Sequence, residues 1–161
     1  MSFETARASL TARGFGDRIR VLEQSSATVA LAAGALGCGP EAIAKSLSFL
    51  QGEKPVIIVA CGTARIDNRK YKDRFHMKAK MIPSDQVEAL TGHAPGGVTP
   101  FGAKPGVEIW LDESLRRFET IYPACGSGNT AVRLSIPELE LASNASGWVD
   151  VCKLPEPESA V

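Results

Sequence analysis

Between Thr91 and Gly102 the chain reads Thr-Gly-His-Ala-Pro-Gly-Gly-Val-Thr-Pro-Phe-Gly, with four glycines and two prolines in twelve residues. This stretch cannot form the interior of a helix or strand, because glycine raises the entropic cost of order and proline removes a donor and fixes φ. The chain must fold its regular elements on either side of a long loop. Bare N–H groups held in fixed directions along such a loop suit an oxyanion or a phosphate. A plain connection made of tight turns has the same composition, so the loop alone leaves both readings open.

Upstream of it, Ile43-Ala44-Lys45-Ser46-Leu47-Ser48-Phe49 has period two, which places Ile43, Lys45, Leu47 and Phe49 on one strand face. An ammonium on an apolar face is costly unless it is paired or opens into a polar pocket. Lys45 is therefore a candidate site residue, with snorkelling at a sheet edge as the alternative. A turn over 51–54 leads into the buried strand 55–60, the predicted hairpin partner.

The rest of the chain reads more simply. Ser2 is a candidate cap for a helix over 3–13, ended by Gly14, and a strand follows over 18–22. Thr28 opens a helix from Val29 to Leu36 that stops at Gly37, and Pro40 suits the first turn of a short helical piece. Asp67 caps a helix to about Phe75, a short strand follows near 80–82, and Asp85 with Glu88 gives a capping-box pattern for 86–91. A strand at 107–111, a short helix capped by Asp112, a strand at 120–122, the loop 125–129 and a strand at 130–134 come next. Pro137 starts a helix to Leu141, and 148–151 is a last strand. Hairpins at 43–60 and 120–134 predict an α+β, mixed fold. We expect one compact domain over 1–153, a curved, mostly antiparallel mixed sheet surrounded by helices, and a disordered tail at 154–161.

Composition narrows the chemistry. Net charge is zero, from 18 basic and 18 acidic side chains, so no global field selects nucleic acid or membrane. Local clustering is the remaining route: Arg65, Arg69, Lys70, Lys72, Arg74, Lys78 and Lys80 put seven of the 18 basic residues into 16 positions. That density can follow a phosphate backbone, or can be a solvated face. No apolar run is long enough to span a bilayer, and the N-terminus lacks the pattern of a signal peptide, so a cytoplasmic protein is expected. Cys38, Cys61, Cys125 and Cys152 form no C-x-x-C pair and read as reduced thiols; no metal and no cofactor is expected. No Walker loop, dinucleotide fingerprint or G-x-S-x-G elbow is present. His76 and His93 lack ligating neighbours, and His93 is the better candidate because of its loop. On spacing alone, Gly126-Ser127-Gly128 is a hairpin turn.

Taken together, Ile43-Ala44-Lys45-Ser46-Leu47, Gly96-Gly97-Val98-Thr99-Pro100-Phe101-Gly102 and Gly126-Ser127-Gly128-Asn129 resemble the YbaK/EbsC family, the superfamily of the editing domain inserted in bacterial prolyl-tRNA synthetases. The resemblance spans roughly residues 20–152. It implies hydrolysis, in trans, of a mischarged amino acid from the 3′ end of a tRNA. It also implies that Lys45, Gly96, Gly97 and Pro100 carry the reaction. His93, Val98, Thr99, Phe101, Gly102, Gly126, Ser127, Gly128 and Asn129 would hold the substrate. Arg69, Lys70, Lys72, Arg74, Lys78 and Lys80 are the candidates for contact with the tRNA acceptor end. The implied partner beyond the aminoacyl-tRNA is prolyl-tRNA synthetase, with no membrane; the oligomeric state stays open. The alternatives are a non-catalytic tRNA- or nucleotide-binding module of the same fold, and a protein-interaction domain.

Overall fold

The most apolar segments of the chain pair with each other and define the centre of the molecule. The computed structural model describes residues 2–23, 28–127 and 129–154. Helix α1 (Ser2–Ala12) and strand β1 (Ile19–Val21) lead to helix α2 (Val29–Leu36), then to β2 (Ile43–Gln51) and β3 (Lys54–Cys61). After these come β4 (Arg65–Ile66), α3 (Asn68–Phe75), α4 (Ser84–Thr91) and β5 (Glu108–Asp112). The chain continues through β6 (Thr120–Pro123), β7 (Thr130–Val132), β8 (Leu134–Ser135), α5 (Ile136–Ser143), β9 (Gly147–Val149) and β10 (Cys152–Lys153).

The main sheet has the order β8-β6-β2-β3-β5-β9. Its pairings are of both senses: β8-β6 and β2-β3 are antiparallel, whereas β6-β2, β3-β5 and β5-β9 are parallel. Two antiparallel ribbons, β1-β7 and β10-β4, flank it. The fold is a mixed α/β single domain, as expected, and its main sheet combines two antiparallel with three parallel strand pairings. The parallel pairings of β5 and β9 arise because these strands return through intervening loops and helices and not through hairpins. The second expected hairpin is also divided. β6 pairs with β8, a single bridge joins Ala124 to Ala131, and β7 makes its ladder with β1.

Burial follows the strand period. In β3, Ile57 and Val59 face one core with Ala6 and Leu10 of α1, Phe101, Leu111, Ile121 and Leu139. Val56, Ile58 and Ala60 face a second core with Phe49, Tyr71 of α3 and Val149. A strand buried on both faces reads as a continuous apolar run, which is what 55–61 shows. A smaller cluster, Ala32, Ala33 and Ile43, packs α2 on the start of β2.

Local signals explain most helix ends. The Thr28 side chain accepts from Leu31 N–H, Asp67 accepts from Arg69 and Lys70 N–H, and Asp112 accepts from Ser114 N–H. The Asp85 capping box is not formed. Helix α4 begins at Ser84 after Pro83, so Asp85 lies in its first turn. The box that does form is Ser135 with Glu138, at the start of α5. The side chain of Ser2, residue Gly128 and the expected tail after Leu154 lie outside the described side chains and residues.

Candidate functional site

Strand β2 runs between β3 on one edge and two short partners on the other. Its first residues, Ile43 and Ala44, pair with Tyr122 and Pro123 of β6. Near its end, Leu50 N–H donates to Lys80 C=O at 2.8 Å, and Ile82 N–H donates to Ser48 C=O at 3.1 Å. Between these contacts β6 has turned away to bridge Ala131, and a cavity of about 180 Å³ opens beside Lys45 and Ser46. Its walls come from α2 (Val29, Ala32), from β2, from Gly96 and Val98 of the glycine loop, and from Tyr122, Ala124, Thr130 and Ala131.

Lys45 is half-buried on this wall. Its Nζ donates to the carbonyl of Gly62 at 3.3 Å and to that of Ala64. Burial lowers the ammonium below its ordinary 10.5; the nearby Cys152 and Cys61 thiols oppose that, and the Arg65 charge adds to it. An ammonium has three donors. The two carbonyls aim it and leave one proton uncommitted. Gly62 permits the arrangement: a Cβ there would lie 2.2 Å from the Pro40 carbonyl oxygen and 2.9 Å from a Val29 methyl.

The two glycine loops are in contact. A Cβ added at Gly97 would stand 2.7 Å from both the Gly126 carbonyl carbon and the Ser127 nitrogen. Glycine at 97 is thus what lets the loops close against each other. Of the residues expected at the site, Lys45, Gly96 and Val98 line the cavity, and Gly97, Gly126 and Ser127 form the seam behind it. Ser127 and Asn129 are bonded to each other, and Asn129 also ties to Leu22 beside β1 through both its main chain and its side chain.

Other expected members face elsewhere. Phe101 is fully buried in the α1 core, and Thr99 and Pro100 are buried beside it. Gly102 packs on the Thr5 carbonyl of α1. The His93 imidazole is also fully buried, with its pKa lowered by burial and held up in part by a hydrogen bond to the Phe101 backbone. The second half of the loop is drawn inward because its apolar side chains complete a core. These five positions therefore support the loop from beneath and do not line the cavity.

The basic cluster is divided in the same way. Lys70 is committed to Asp150 at 3.1 Å and to the Cys152 carbonyl at 3.0 Å. Arg74 lies over the rings of Phe75 and Trp110, at 5.2 and 5.0 Å. Arg69, Lys72, Lys78 and Lys80 are exposed. Lys78 and Lys80 belong to the segment that runs along the same edge of β2 as the cavity.

Sequence reading missed Thr28, Val29, Ala32, Tyr122, Ala124, Thr130 and Ala131 as cavity residues. They come from separate segments, brought together by the parallel β2-β6 pairing, the packing of α2 on the start of β2 and the bridge from Ala124 to Ala131. Among the lining residues there is no carboxylate, imidazole or thiol. Among the described residues no group of three or more His, Cys, Asp or Glu side chains could hold a metal ion, and no helix is long and apolar enough to cross a membrane. All four cysteines are free thiols, three of them buried.

Comparison with known proteins gives the family and the fold. Residues 23–141 match the family described as the aminoacyl-tRNA editing domain. The protein YwhH of Bacillus subtilis, named as uncharacterized, is 44% identical over 154 residues, covering 95% of this chain and 98% of that one. The Enterococcus faecalis protein named "Putative Cys-tRNA(Pro)/Cys-tRNA(Cys) deacylase EbsC" is 26% identical over 98 residues, 60% of this chain and 59% of its own. A crystal structure titled as that of "a putative trans-editing enzyme for prolyl tRNA synthetase" superposes with a TM-score of 0.84 at 28% identity, covering 94% of this chain and 97% of that one.

Proposed function

The chain belongs to the aminoacyl-tRNA editing domain family, and from that premise we propose that it hydrolyses, in trans, the ester of a small amino acid on the 3′ end of a mischarged tRNA. The observation that carries this reading is the cavity: about 180 Å³, walled by four alanines, with one half-buried ammonium on its wall. An apolar cavity of ~150 Å³ admits a molecule the size of benzene. The site thus takes a short amino-acid side chain but not the adenosine that carries it. Synthetases need such a second site because one methylene discriminates by only about 1–3 kcal/mol.

In the proposed reaction water adds to the ester carbon, and the carbonyl electrons move onto oxygen. The bond to the ribose oxygen then breaks, and that oxygen takes a proton derived from the water. The products are the free amino acid and the tRNA hydroxyl. Lys45 supplies a fixed positive charge beside the terminal nucleotide, and Gly96, Gly97 and Pro100 shape the main chain around the ester. The walls carry no basic side chain other than this ammonium, and the family resemblance implies that a substrate group, the neighbouring ribose hydroxyl or the substrate's own side chain, assists the proton transfer. Exposed Lys78 and Lys80, with Arg69 and Lys72, would meet the acceptor-end phosphates.

A panel of tRNAs charged with alanine, serine, cysteine, threonine and proline tests the proposal, with tRNA(Pro), the tRNA of prolyl-tRNA synthetase, as the first carrier. Hydrolysis of at least one small-residue ester, with Pro-tRNA(Pro) spared, is the expected result. Binding of every charged tRNA without any release of amino acid would replace the hydrolase with a binding module.

A further inference from the structure

Ser46 is a residue of β2 whose polar groups the fold leaves unmatched. Gln51 and Lys54 close the two-residue hairpin, so the odd-numbered residues of β2 direct their N–H and C=O groups toward β3. The even-numbered residues face the opposite edge. The bonds of Ser48 C=O and Leu50 N–H to residues 80–82 confirm that alternation. At the other end Ala44 is paired with β6. Ser46, between them, points its N–H and C=O into the gap where β6 has left the sheet, and neither has a partner among the described residues. Its Oγ is also shut away from solvent with no hydrogen-bond partner. Ser46 lines the cavity. Buried polar groups in native folds are nearly always satisfied, so an orphaned buried Oγ beside an N–H and a C=O that open into the cavity marks a place for a ligand.

We propose that the aminoacyl group of the substrate completes this edge as a one-residue antiparallel partner. An extended amino acid carries its α-amine and its carbonyl on the same side, as a strand residue does. A hydrogen-bonded antiparallel pair exchanges two N–H···O bonds. Here Ser46 N–H donates to the ester carbonyl oxygen, and the substrate's α-amine donates to Ser46 C=O. The walls hold no carboxylate to receive a charged amine, which makes a neutral carbonyl acceptor the available partner. When water adds to the ester carbon, the same Ser46 N–H meets the growing negative charge, an oxyanion role that the glycine loops alone were expected to fill.

This inference rests on the deacylase reading, and the test separates the two. The probe is alanine joined by an amide to 3′-amino-3′-deoxyadenosine, which cannot be hydrolysed as an ester; its propionyl counterpart lacks the α-amine. Backbone amide exchange of the full chain is followed by NMR with each compound. Saturating alanyl compound is expected to slow exchange of the Ser46 amide at least tenfold. It should bind about tenfold more tightly than the propionyl compound, the scale of one net hydrogen bond. If Gly96, Val98 and Ala131 amides respond while Ser46 exchange is unchanged, the edge pairing is overturned and the deacylase reading stands. Equal affinities for the two compounds overturn the amine contact. No response in any cavity amide, together with no hydrolysis in the tRNA panel, overturns both.

Discussion

Replacing Lys45 with alanine separates what the lysine does for the fold from what it does for a substrate. The ammonium donates to the Gly62 and Ala64 carbonyls, so it pins the turn after β3 to β2. A hydrogen bond from a charged group contributes about 1.5–3 kcal/mol net. Against two of them stands the cost of half-burying the charge, the same burial that lowers its pKa. Water can reach a half-open site and replace part of the loss, which leaves a net destabilisation of about 1–2 kcal/mol. That corresponds to a Tm lower by about 2–8 °C for a domain of this size. An unpaired ammonium on an apolar face would be a cost whose removal stabilises; the two carbonyls reverse that sign. Stability should also lose a pH dependence. Because the folded-state pKa is lowered from 10.5, the unfolded chain binds more protons just below that pH. Wild-type stability therefore rises with pH in that window, and the alanine variant should not show the rise. If the third donor reaches the substrate, deacylation should fall by about 10² or more, the loss seen when an electrostatic contact at an acyl-transfer site is deleted. Lys45→Arg should recover little, because a planar guanidinium cannot occupy a point between two carbonyls. The measurements are single-turnover hydrolysis of a mischarged tRNA and thermal melts at pH 7 and in the alkaline window. Unchanged hydrolysis in a folded Lys45→Ala protein would refute the assignment.

Gly97→Ala should separate the two glycine loops, since the new Cβ meets backbone atoms of Gly126 and Ser127 at 2.7 Å; we expect a loss of about 1–3 kcal/mol, read by denaturant unfolding. Neutralising Lys78 and Lys80 together should weaken tRNA binding and reduce the slope of log K against log salt by about 1–2. The same change at Lys70, which is occupied by Asp150, should have a smaller effect, and equal slopes for all three proteins would return the cluster to a solvated face. His93 is buried with a lowered pKa, so the unfolded chain takes up its proton first as pH falls. Stability is present above the ordinary 6.5 and declines as pH falls below it, and melts from pH 7 to 5 should show a shallower decline in His93→Gln.

The residue order alone determined most of the elements and several of their caps. The hairpin of β2 and β3 follows from two apolar runs around Gln51-Gly52-Glu53-Lys54, and the ends of α2 and α3 follow from Thr28, Gly37 and Asp67. It also set the position of Lys45 on a strand face and the need for a loop at 91–102. These are local properties, fixed by side-chain period, φ restrictions and caps within a few residues. Which loop residues face a cavity was not legible. Val98 and Phe101 are both apolar members of one loop, yet one lines the cavity and the other completes the α1 core. Nor could the sequence show that Lys45 is satisfied by carbonyls from 17 and 19 residues away, or that Lys70 is already paired with Asp150. The cavity itself exists because β6 pairs with only the first two residues of β2 and then turns to Ala131. Strand order and the sense of pairing are decided by how segments far apart in the chain share a core, and that competition is settled only in three dimensions.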